Sequence, residues 1–87
     1  MTRYPRFLKL PATCDVSGMK PTSIYGQVKV GLFPPPIKLT SRSSAWVEQE
    51  VAEVNRARIA GKSDDEIRAL VTRLVAARTA FDAAEQK

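Results

Sequence analysis

Lys20, Thr22, Ser23, Tyr25, Gly26 and Lys29 stand close together in the chain, and Lys38, Ser41, Arg42 and Ser43 follow a short way downstream. They supply ammonium and guanidinium groups, hydroxyls and one bare piece of backbone. Cations pair with phosphate oxygens, hydroxyls hydrogen-bond to base edges, and a glycine lets the backbone come close to a large polar surface. This is the chemistry of recognition rather than of bond making. The sequence contains no histidine, the commonest general base and metal ligand. Cys14 is the single cysteine; it lacks a companion for a zinc site and reads as a small buried hydrophobe. The acids cluster at two helix starts, where capping and the helix dipole account for them. Gly26 and Gly31 lack the spacing and the preceding strand of a phosphate-cradling loop. No catalysis, cofactor, metal or small-molecule substrate is expected.

The charge is unevenly placed. The chain of 87 residues has a formal charge of +5. Residues 1–46 hold seven basic residues, Arg3, Arg6, Lys9, Lys20, Lys29, Lys38 and Arg42, against one acid, Asp15. Residues 47–87 hold seven basic and eight acidic residues, so the whole excess lies in the first half. That is the footprint of a polyanion-binding surface. With 44% apolar and 26% charged residues, the chain is globular rather than disordered. A lone cysteine fits a reducing compartment. No apolar run approaches the ~18 residues of a membrane span, so a cytoplasmic, nucleoid-associated protein is expected.

The elements that must position these groups follow in order. Met1–Pro5 reads as a loose basic arm. Arg6–Leu10 alternates polar and apolar residues, which predicts a short edge strand or extended lead-in with Phe7 inward, joined by Leu8 and Leu10. Pro11 suits a first helical position, giving a short helix Pro11–Ser17 that buries Cys14 with Val16 and stops at Gly18. Pro21 starts the next helix after the weak cap Lys20. Ile24 and Val28 form its buried stripe, and Thr22, Ser23, Gly26 and Lys29 fall elsewhere around it. Gly26 inside so short a helix costs roughly 1 kcal/mol against alanine, which points to a close backbone approach or a helix held by its neighbours. After Gly31, Leu32-Phe33 anchor the chain and Pro34-Pro35-Pro36 make a stiff corner. Ile37–Leu39 and Ser44–Trp46 read as the arms of a small hairpin carrying Lys38 and Arg42. Helix, corner and hairpin are the parts of a winged helix-turn-helix, mainly α with a small β wing.

The second half is helical. Val47, Val51 and Val54 share one face of a helix that opens with Glu48, Glu50 and Glu53 and closes at Gly61. Ser63-Asp64-Asp65-Glu66 forms a capping box. The amphipathic stripe Ile67, Leu70, Val71, Leu74 and Val75, extended by Phe81, follows it, and Asp82–Lys87 is expected to fray. Such a stripe must pack on something. Folding back over Gly61-Lys62 is one solution, but Ala52, Ile59 and Ala60 offer only a thin surface. A homodimer through the stripe is therefore the expectation. The chain divides into a DNA-binding unit, 1–60, and a C-terminal packing or self-association helix, 61–87.

Leu10-Pro11, Gly18, Ser23-Ile24-Tyr25, Lys29, Gly31, Phe33-Pro34, Pro36-Ile37-Lys38-Leu39, Arg42 and Ala45-Trp46 stand in an order that resembles AlpA-type prophage regulators. The likeness covers about residues 6–60. Those proteins are small winged helix-turn-helix regulators, similar in architecture to excisionases and to the DNA-binding part of MerR regulators. The resemblance implies a transcriptional regulator of a prophage or integrated element, with Pro21–Lys29 as recognition helix and Ile37–Trp46 as wing. Three positions depart from the family pattern: Lys20 stands for a serine, Gly26 for a basic residue and Gln27 for an apolar one.

Double-stranded DNA is thus the expected partner, bound sequence-specifically. Two other functions compete. One is an excisionase-like architectural factor that bends DNA and directs an integrase. The other is a helical adaptor that binds protein through the 67–81 stripe.

Overall fold

Short local signals start and stop each helix. The computed structural model describes residues 5–80. Its elements are β1 (Phe7–Leu8), α1 (Leu10–Ser17), α2 (Pro21–Lys29), β2 (Ile37–Thr40), β3 (Ser43–Val47), α3 (Glu48–Ile59) and α4 (Asp64–Ala76). Proline occupies the first helical turn of both α1 and α2, where its missing amide hydrogen costs nothing. Gly18, Gly31 and Gly61 all take positive φ, 72°, 80° and 77°. Gly18 needs it most: it is the turn between α1 and α2, and its amide closes on the Cys14 carbonyl at 2.8 Å. The capping box of α4 is complete, with Ser63 Oγ accepting from the Glu66 amide and the Ser63 amide donating to Glu66 Oε1. The Ser63 amide, then the Ser63 hydroxyl contact, hold the Glu66 carboxyl below the usual carboxylate range.

The three strands form one antiparallel sheet in the order β1-β3-β2. Phe7 faces Val47 and Leu8 faces Trp46 across the first ladder; Ile37 faces Ala45 and Lys38 faces Ser44 across the second. A register shift between Lys38 and Thr40 bulges β2 just before the two-residue tip Ser41-Arg42. The architecture is mainly α: a helix pair with a glycine turn, a hairpin after a proline corner, and two further helices.

One core runs through the chain. Trp46, Phe33, Ile24, Ile67, Val51 and Val54 are at its centre, each 2% exposed or less. Trp46 donates its indole N–H to the Pro34 carbonyl at 2.9 Å, so the buried ring leaves no orphaned donor. Full burial of each such side chain contributes roughly 1.5–3 kcal/mol.

Four sequence expectations need correction. Phe7, expected inward, is half exposed, and Leu8 takes the core side. With Leu8 opposite the buried Trp46, strand alternation turns Phe7 outward. In α1, Val16 is exposed, while the buried residue is Thr13. Its hydroxyl donates to the carbonyls of Lys9 (2.9 Å) and Leu8 (3.2 Å), which makes burial of a polar side chain cheap. Val47 belongs to the end of β3 and caps α3 rather than lying on its face. The stripe of α4 is used within the chain: Ile67 and Val71 lie in the same core as Trp46, with Leu70, Leu74 and Val75 packed against it. Of the five residues expected to mediate self-association, Ile67 and Val71 are buried within the chain and Leu70, Leu74 and Val75 are half-buried. Val51, Val54 and Ala57 of α3, rather than Ala52, Ile59 and Ala60, belong to the core on which that stripe packs. Phe81, the fraying end Asp82–Lys87 and Met1–Tyr4 of the basic arm lie outside the described residues.

Candidate nucleic-acid interface

Ile24 fixes the orientation of α2. It is fully buried and Val28, one turn on, is half-buried against the same core. Thr22, Gly26 and Lys29, spaced i, i+4 and i+7, must then form the opposite stripe. All three are exposed, as are Lys20 at the N-cap and Ser23 in the first turn. At Gly26 the outer face is open, since an added Cβ would meet nothing within 4 Å. Tyr25 lies at the edge of this face, half exposed, with its ring tilted against that of Trp46.

The hairpin adds a second set. Lys38 on β2 and Ser41 and Arg42 at the tip are exposed, and Ser43 is half-buried. The Arg42 amide donates to Thr40 Oγ1 at 3.2 Å, which shapes the tip. Lys9, the N-cap of α1, reaches this hairpin: its ammonium donates to Ser43 Oγ at 3.1 Å. An ammonium has three donors, so the contact leaves two for an anion. Lys9 is the functional candidate that sequence reasoning missed. Its basic character was visible, but its place beside the wing depends on a contact spanning 34 residues.

Among the described residues ion pairing is denser in the second half, where three of six cations are paired, than in the first, where one of six is; Arg58, Lys62 and Arg73 have no carboxylate within salt-bridge distance either. Among the described residues Arg56 pairs with Glu53, Arg68 with Asp65 and Arg78 with Glu50. Among the described residues of the first half only Arg6 is paired, with Glu48. Lys9, Lys20, Lys29, Lys38 and Arg42 have no carboxylate within salt-bridge distance among the described residues. Five solvated cations on the first helix pair and the hairpin, with hydroxyls between them, suit a polyanion whose edges accept hydrogen bonds. Among the described residues no group of three potential ligands is placed to hold a metal ion. No helix among the described residues is long and apolar enough to cross a membrane.

A family model described as prophage CP4-57 regulatory protein (AlpA) matches residues 6–59. These residues run from β1 to the end of α3 and include every candidate contact named above. An uncharacterized protein, ORF88 of Enterobacteria phage P4, is 35% identical over 57 residues, which are 66% of this chain and 65% of that protein. The chain thus spans just under two thirds of that relative's length. No solved structure matches the chain.

Proposed function

The chain belongs to the AlpA family of prophage regulatory proteins, and on that premise we propose that it is a sequence-specific regulator of transcription. Its ligand is double-stranded DNA of a prophage or integrated element. The observation that carries the reading is the set of five cations, Lys9, Lys20, Lys29, Lys38 and Arg42, which lie around α2 and the hairpin without an acid partner among the described residues. In this account α2 enters the major groove, where Thr22, Ser23, Tyr25 and the bare backbone at Gly26 meet base edges. Lys20 and Lys29 flank the groove on phosphates. The wing, with Lys38, Ser41, Arg42 and Ser43, holds the backbone or the minor groove. Residues 1–60 form the DNA-binding unit, and 61–87 serve as its packing element. The protein acts at the nucleoid.

Footprinting of the full chain on promoter and attachment-site DNA tests the proposal. Protection of a promoter, with a change in transcript level, is the expected result. Protection confined to an attachment site, with bending, would instead indicate an excisionase-like factor. No protection of either would contradict DNA recognition and leave the protein-binding adaptor.

A further inference from the structure

The proline corner between α2 and the wing has acceptors but no amide donors of its own across Pro34–Pro36, so it cannot be held by backbone ladders. Two side chains hold it instead. Trp46 donates to the Pro34 carbonyl at 2.9 Å, and Arg78, two residues beyond α4, donates to the Pro35 carbonyl at 2.7 Å. The same guanidinium forks onto Glu50 of α3, at 2.9 and 2.7 Å to the two carboxylate oxygens. Glu50 is only 5% exposed, so this partner takes the place of water at its carboxylate. Arg78 lies outside the residues that match the family model, and Glu50 and Pro35 lie inside them.

We infer that Arg78 is a positioning residue for the wing: it locks the Pro35 carbonyl to Glu50 and so fixes the angle at which β2 leaves the corner. The inference rests on the proposed DNA reading for its functional consequence, though Arg78 itself touches no DNA. The segment after α4 thereby sets how Lys38 and Arg42 are presented.

The test uses the full chain with Arg78→Lys and Arg78→Gln. Lysine keeps a cation for Glu50 but has no planar fork to serve two carboxylate oxygens and a carbonyl together. In the free protein, amide exchange at Ile37–Thr40 is expected to quicken about tenfold in both variants while that at Ile24 is unchanged. Affinity for the footprinted duplex should fall about tenfold, as a wing freed to many orientations must be ordered on binding. Wing exchange at wild-type rates in both variants would overturn the inference. Equal quickening at Ile24 and in the wing would also overturn it, since that marks a general loss of stability. If the wing loosens selectively but the wild-type chain binds no duplex, the positioning role stands and the DNA reading falls.

Discussion

The ring of Tyr25, half exposed on α2, lies 5.9 Å centroid to centroid from the buried ring of Trp46 on β3, at an interplanar angle of 59°. Tilted aromatic pairs at this separation contribute about 0.5–1.5 kcal/mol beyond their buried area. The contact ties the candidate reading helix to the wing. Tyr25→Ala is expected to lower stability by about 1 kcal/mol and to weaken DNA binding. Tyr25→Phe keeps the ring pair, so its stability should match wild type in thermal melts. Any loss of operator preference in Tyr25→Phe then reports the hydroxyl alone.

Reading and holding should separate by mutation. Thr22→Ala and Ser23→Ala are expected to reduce the preference for operator over random duplex, by about 1–3 kcal/mol if a base-edge bond is lost. Lys38→Ala and Arg42→Ala should weaken both duplexes together, because phosphate carries no sequence information. Competition binding checks this. A Ser23→Ala protein that is less stable but equally selective would show that Ser23 serves the helix start instead.

Gly26 sets stability against recognition. Alanine there meets no neighbouring atom, and it should stabilise α2 by up to about 1 kcal/mol. The melting temperature is expected to rise by about 4–8 °C. If the backbone at Gly26 approaches the bases, the same methyl group costs affinity, and binding should weaken about tenfold. A variant both more stable and equally tight would remove Gly26 from the interface.

The capping box of α4 predicts an acid-sensitive contribution. The folded chain holds the Glu66 carboxyl below its ordinary range through the Ser63 amide. The unfolded chain therefore takes up this proton at higher pH than the folded one, and stability rises with pH across that window. The contribution is complete above the unfolded value of about 4.3 and is lost as pH falls through the lower folded value. Glu66→Gln keeps an acceptor but has no proton to gain. Its melting temperature should fall less between neutral and acid pH than that of wild type; parallel curves would contradict the assignment.

What could be read from the sequence was local. Pro11, Pro21, Gly18, Gly31, Gly61 and the Ser63–Glu66 box act within a turn of where they stand, and each marks the helix boundary expected of it. The exposed stripe of α2 was legible for the same reason, because the Ile24–Val28 spacing fixes what faces away. Residues whose setting depends on distant partners were not legible. Glu50 looked like a helix-dipole acid until Arg78, 28 residues away, closed on it. Thr13 is polar by type yet buried, because the backbone just before it satisfies its hydroxyl. Phe7 and Leu8 fit either register in so short a strand, and only the pairing with Trp46 decides between them. The destination of the α4 stripe was undetermined by the stripe itself. Ile67 shows no solvent exposure because α3 still had an apolar seat to offer.

A salt titration decides whether the cations of the first half meet DNA phosphates. Binding of the full chain to duplex DNA is measured by fluorescence anisotropy across a range of salt concentrations. Four or five of Lys9, Lys20, Lys29, Lys38 and Arg42 on phosphates give a slope of about −4 to −5 in log affinity against log salt. Lys38→Ala should reduce that slope by about one. A slope near zero, or no binding to duplex DNA even at low salt, would contradict the account.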